Sequence, residues 1–253
     1  MQKVLSLFDL TGNMVRPWAE AGHTCFIVDT QHEYEGVIET YPSGGLIIAV
    51  NLDLSDVDNA KYIADWVRPD IIFSFPPCTD LAVSGARHFK AKAARDFNFQ
   101  VRATDLAMTA FYVSMHCKNI TGKVVPWFAE NPVSVLSTTW RKPDHTFNPC
   151  DYGGYLSPSE HEHPQYPDVI PARDAYTKRT CLWTGGGFKM PAPLPVEPET
   201  AGVGDTTPLH AKLGGKSIRT KNIRSATPRG FAKAVYLANA KGEQVTIDEA
   251  LAA

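Results

Sequence analysis

Asp70-Ile71-Ile72-Phe73-Ser74-Phe75-Pro76-Pro77-Cys78 reads as a buried β-strand that runs into a proline-stiffened turn with a thiol at its tip. The apolar, β-branched and aromatic run suits a strand covered on both faces, as in parallel sheets. Two successive prolines carry no backbone N–H and hold φ near about −65°, so the ladder stops and the loop is stiff. Open α/β sheets place chemistry at the carboxyl ends of their strands. Cys78 is therefore a candidate nucleophile, weighed against a small buried hydrophobe.

Working outward, short apolar runs alternate with amphipathic stretches. Val4–Phe8, Thr24–Val28, Leu46–Val50 and Val124–Phe128 read as further strands, and Arg179–Trp183 as one more. Met14–Ala21, Asn59–Val67 and Asp96–Cys117 read as helices, the last with Val101, Leu106, Ala110 and Phe111 on one face. A closing helix covers Pro228–Ala240, with Pro228 suited to its first turn. The alternation predicts an α/β fold, a mixed, mostly parallel Rossmann-like sheet flanked by helices. Residues 141–176 and 184–217, rich in Pro and Gly, read as insertions on that fold.

Composition adds limits. The chain has 253 residues, 43% hydrophobic and 21% charged, with a net charge of −2, ordinary for a globular protein. No apolar run approaches the roughly 20 residues that span a bilayer, so no membrane partner is expected. The first residues read as a strand and not as a signal peptide. Cys25, Cys78, Cys117, Cys150 and Cys181 are scattered without a CxxC pair, which predicts free thiols in a reducing cytoplasm. A near-neutral total still permits a local basic face for nucleic acid.

The strand ends carry polar groups in order. Phe8-Asp9-Leu10-Thr11-Gly12 follows the first strand, Asp29 the second and Asp53 the third. A glycine turn there admits a nucleoside-type cofactor, with one acid for ribose hydroxyls and another for an adenine amine. Cys78 follows the fourth strand and Glu130-Asn131 the fifth. A thiol beside a carboxylic acid suits addition to an electron-poor ring: the thiolate attacks carbon 6 of a pyrimidine while the acid bonds the ring nitrogen. Glu130 would serve best protonated or sharing a proton, as a poorly solvated pocket favours.

These residues, in the order Leu7-Phe8-Asp9-Leu10-Thr11-Gly12, Pro76-Pro77-Cys78, Glu130-Asn131-Pro132 and Thr177-Lys178-Arg179, resemble the DNA cytosine-C5 methyltransferase family. The resemblance implies a class I methyltransferase fold, S-adenosylmethionine as donor and a flipped-out cytosine in duplex DNA as acceptor. It implies Cys78 as nucleophile, Glu130 as the acid that engages the base and Arg179 as the residue that orients it. Phe8, Asp9, Leu10, Thr11, Gly12, Asp29, Asp53 and Pro76 would line the cofactor site. The chain departs from the family where Leu10 and Asn13 replace two loop glycines and Thr177 replaces an arginine. It also has a reduced target-recognition segment at 184–222, between a catalytic domain over 1–183 and a C-terminal helical segment over 223–253. A monomer in the cytoplasm of a bacterial or phage-infected cell is implied, with restriction-modification a compatible setting.

Two acid-free basic runs point to the same partner. Arg87, Lys90, Lys92 and Arg95 follow the nucleophile, on what the resemblance implies is a loop that closes over DNA. Lys216, Arg219, Lys221 and Arg224 lie in the second run. Such cations contact phosphates and make affinity fall with salt. A free cytosine nucleotide or RNA is the alternative substrate, and a catalytically silent DNA- or partner-binding relative the alternative class. No metal is expected: His161 and His163 read as solvated on a Pro-rich loop, and His145, Cys150 and Cys181 lack paired ligand spacing.

Overall fold

Continuous apolar runs become the middle of one sheet. The computed structural model describes residues 1–200 and 217–241. The chain divides into two compact units, Met1–Thr146 with Thr180–Phe188, and Phe147–Arg179 with the residues from Lys189 onward.

In the first unit, β1 (Lys3–Leu7), β2 (Thr24–Val28), β4 (Leu46–Val50), β5 (Ile71–Ser74) and β6 (Trp127–Pro132) run parallel. Two antiparallel strands join them, β3 (Gly36–Thr40) against β4 and β8 (Thr180–Gly185) against β6. With β7 (His145–Phe147), which ends where the second unit begins, the order is β3-β4-β2-β1-β5-β6-β8-β7. All four residues of β5 are buried, as the run of Ile and Phe requires. One sheet face packs Leu5, Leu7, Val28, Ile72, Trp127 and Trp183 under helices, and the alternate residue Phe73 meets Trp18 and Phe128.

The helices are α1 (Arg16–Glu20), α2 (Val57–Val67), α3 (Phe89–Arg95), α4 (Phe99–Ala107), α5 (Thr109–Thr121) and α6 (Leu136–Thr139). In α2, Asp56 caps the first turn, and Ala60, Ile63, Ala64 and Val67 form the buried stripe expected at helical spacing. The single helix expected over Asp96–Cys117 is divided. Asp96 turns the chain between α3 and α4, accepting from the Asn98 amide, and Met108 (φ −86°, ψ 0°) kinks α4 from α5. Strand β3 has no counterpart in the sequence expectations. It is an exposed edge strand with a register shift between Val37 and Glu39, so it lacks the buried alternation that marks a strand.

The second unit is built on aromatic residues. Two helices, α7 (Ile218–Ser225) and α8 (Arg229–Asn239), accompany 3₁₀ turns at Pro149–Tyr155 and Ala172–Asp174. Phe231 of α8 stacks on Phe147 at 4.2 Å and meets Tyr152 edge-on. Gly230 has no room for a side chain, since a Cβ would lie 2.3 Å from the Tyr152 carbonyl oxygen. Its amide donates to Asp174 Oδ2 at 2.8 Å. Arg229 pairs with Glu160, which also accepts from the Arg173 amide. His163 is not solvated: it is 2% exposed, its Nδ1 accepts from the amides of Gln165 and Tyr166, and burial pushes its imidazole down to about 4.

Asp174 yields a stability prediction. It is 1% exposed, and its Oδ1 has no hydrogen-bond partner among the described residues. Burial raises its carboxyl to about 6, against which the Gly230 amide and Arg229 act. A raised carboxyl stabilises the fold below its unfolded value and loses that contribution as pH rises through about 6. Asp174→Asn keeps an acceptor for Gly230 and tolerates the left-handed φ of 50°. The variant is expected to match or exceed the parent in Tm at pH 7.5, with an advantage that shrinks toward pH 4.5. A variant less stable at pH 7.5 would show that Arg229 requires the anion.

Candidate active site

Register places the sequence-predicted groups along one edge. Leu7 pairs with Val28 and with Ser74, Val28 with Val50, and Ser74 with Ala129, so β1, β2, β4 and β5 end in one row while β6 runs on to Pro132. Beyond that row lie Phe8–Gly12, Asp29, Asp53 and Cys78 in loops, and Glu130 within β6. The fifth strand expected over Val124–Phe128 instead runs to Pro132, because antiparallel pairing with β8 extends it. The chain moves from β1 outward through β2 to β4, then returns to β5 on the other side of β1. This reversal is the topological switch point, where the crevice of an open α/β sheet forms.

The thiol sits on a braced turn. The Phe75 amide donates to the Leu7 carbonyl at 3.0 Å, and Pro76 is buried while Pro77 and Cys78 are exposed. The Cys78 carbonyl accepts from the amides of Leu81 (3.0 Å) and Ala82 (2.8 Å). Asn131, 1% exposed, donates from Nδ2 to the Pro76 carbonyl at 3.2 Å. Past this point the loops after β5 and β6 are laced together: Val83 donates to Val133, Val135 donates to Leu81, and Ala82 bridges Ser134. Cys78 is thus carried on a loop fixed to the end of the strand that carries the half-buried Glu130. Asn131→Ala removes one link in a buried setting, a loss of about 1–3 kcal/mol. A Tm lowered by several degrees is expected in thermal unfolding, and an unchanged Tm would show that the loops hold without it.

Three buried polar atoms cluster by sequence and register at this end of β5 and β6. Ser74 Oγ, Asn131 Oδ1 and Ser134 Oγ have no partner among the described residues. Buried polar atoms are seldom left so, and a polar ligand or water is the usual complement. Ser74 and Ser134 were not legible as site residues, because isolated serines carry no spacing signal.

On the other side of the switch point, the Gly12 turn is held by its own acid. Asp9 is 4% exposed; its Oδ1 accepts from the amides of Thr11 (3.0 Å) and Gly12 (2.8 Å), and Oδ2 from Ser6 Oγ (2.7 Å). Burial raises its carboxyl, opposed by these bonds. Asp9 is therefore a brace of the loop that spans Leu10–Asn13. Gly12 keeps a left-handed φ of 67° and opens α1 by accepting from Val15 and Arg16. Phe8 adopts φ 56°, a rare conformation for an aromatic residue and one that clusters at functional sites. His32, absent from the sequence expectations, bonds the Asp9 carbonyl through Nε2 at 3.1 Å, and Asn51 donates to the His32 carbonyl at 2.7 Å. These bonds tie together the loops after β1, β2 and β4.

The two remaining strand-end acids differ in exposure. Asp29 is half-buried and closes an Asx turn with Gln31; Asp53 is exposed, and the Ser55 amide holds its carboxyl below the usual range. Both are acceptors that follow strands of the same edge as Phe8 and Gly12, and they could serve the hydroxyls and amine of a nucleoside-type group. Arg179 belongs to the second unit and is exposed, directly before Thr180.

The basic residues divide between the units. Arg87, Lys90 and Arg95 are exposed in the first, on the 3₁₀ turn Val83–His88 and on α3. Lys92 is half-buried, and its ammonium is engaged by Asp80 and by the Thr79 carbonyl. Its charge is thus taken up inside the protein, a pairing hidden from sequence because Asp80 lies outside the acid-free run. Arg219, Lys221 and Arg224 are exposed on α7 of the second unit, while Lys216 lies outside the described residues. Among the described residues no helix is long and apolar enough to cross a membrane. The chain matches no known family model and no curated protein sequence.

Proposed function

We propose that the chain is a DNA cytosine-C5 methyltransferase. The observation that supports this most is the lacing of the Cys78 turn to the end of β6, which carries Glu130 and Asn131, and to the loop after it, at the carboxyl edge of the sheet. A thiol and a carboxyl on mutually fixed segments suit addition to a pyrimidine, where both must engage one ring.

In this reading Cys78 Sγ bonds to carbon 6 of cytosine, and the displaced electron pair moves to carbon 5. Glu130 bonds ring nitrogen 3 and supplies its proton as charge develops there. Carbon 5, now nucleophilic, takes up a methyl group. Loss of the carbon 5 proton to a base, departure of the Cys78 thiolate and return of the nitrogen 3 proton to Glu130 then restore the ring. Phe8, Gly12, Asp29 and Asp53 would hold S-adenosylmethionine, whose sulfonium supplies an electrophilic methyl when bound. Pro76 would border that site, and Asp9 would shape the loop from within. A base inside a duplex must leave the stack to reach a thiol, so extrusion of the cytosine is part of the proposal.

Incorporation of labelled methyl from S-adenosylmethionine into duplex DNA, RNA and dCMP tests the reading. Label at carbon 5 of cytosine in DNA is expected. Label only in RNA or dCMP would move the same chemistry to another substrate. No label anywhere, with no S-adenosylmethionine binding by calorimetry, would overturn it.

A further inference from the structure

Phe97 is 87% exposed at the tip between α3 and α4, while Phe99, two residues on, is buried against Phe89. The turn that presents it is built and not slack. Asp96 accepts from the Asn98 amide through its side chain and from the Phe99 amide through its carbonyl, and it pairs with Arg102. Val101, 58% exposed, extends the apolar surface along α4.

This tip is linked to the candidate nucleophile. Asp80, two residues after Cys78, binds Lys92 of α3 through its carboxylate and Gln100 of α4 through its carbonyl (3.3 Å). Both helices that flank Phe97 are thus fastened to the Cys78 turn. Arg87, Lys90 and Arg95 are exposed around the same segment, a cationic surface that complements phosphates. An exposed aromatic ring within a cationic surface is the chemistry of a side chain that inserts between bases.

We propose that Phe97 is a wedge that enters the duplex stack and fills the space left as the target base is extruded. The proposal rests on the cytosine reading above. The ring replaces stacking lost by the neighbours of the extruded base, and the Asp80 links bring its insertion into register with the approach of Cys78.

Phe97→Ala and Phe97→Trp are to be compared with the parent on a mixed-sequence duplex and on one of its strands alone, by transfer of tritiated methyl. Phe97→Ala is expected to lower the ratio of duplex to single-strand rate by about tenfold or more, since only the duplex has a stack to open, whereas Phe97→Trp keeps the ratio near the parent's. An unchanged ratio in Phe97→Ala overturns the wedge. If the parent methylates neither probe, the cytosine reading fails. The wedge is then decided by the fluorescence difference between Phe97→Trp and the parent. Quenching of the added indole by duplex supports insertion, and no quenching overturns it.

Discussion

Cys78→Ala is expected to abolish methyl transfer to DNA, by on the order of 10⁴-fold or more, as for removal of a covalent nucleophile. The turn that carries Cys78 is held through its backbone carbonyl and through Asn131 on Pro76, and the side chain lies on the exposed side. Truncation to alanine should therefore leave the fold and its Tm intact, which separates chemistry from stability. DNA containing 5-fluorocytosine sharpens the test, because the fluorine blocks the final elimination and leaves the thiol bound to carbon 6. The parent should form a denaturation-resistant complex with such DNA, and Cys78→Ala none. Sequencing for 5-methylcytosine in cells expressing each form would also give the target site. Methylation at parental levels by Cys78→Ala would remove the thiol from the mechanism.

Glu130→Gln has the second largest expected effect, a fall of about 10²–10⁴-fold in kcat with little change in KM. Glutamine has the same shape and can still hydrogen-bond a cytosine edge, so binding should survive. It cannot deliver a proton to ring nitrogen 3 as Cys78 adds. Glu130 sits between Ala129 and Asn131, paired with Leu182 of β8, so its backbone is fixed on both sides of the residue. The covalent 5-fluorocytosine complex should form more slowly in this variant in proportion to kcat. A large rise in KM with kcat preserved would instead assign Glu130 to uniform binding of the base.

What could be read from sequence follows from which forces are local. β2 and β4 have the bounds expected from their apolar runs, and β1 and β5 differ by a residue at their ends, because burial on both faces leaves an unbroken hydrophobic signature. The Pro-Pro-Cys turn was legible because proline ends a ladder through its own covalent structure. The division of the long helical region was not, since it depends on Asp96 bonding the following turn and on Met108 adopting a bridge conformation. Asp9 was legible only as a loop acid; its role as a brace appears when Thr11 and Gly12 fold back onto it.

The amino-acid sequence by itself determined the α/β alternation, the strand-end position of Cys78 and the succession of acids, because each follows from the preferences of adjacent residues. Only the tertiary structure decided that these ends share one edge. Strand order and register are set by long-range pairing and burial, which no single segment encodes. Pairings such as Asn131 with Pro76, Lys92 with Asp80 and His32 with Asp9 likewise join groups far apart in the chain. They exist because folding excludes water from buried donors and acceptors, which must then find partners wherever the chain has brought them.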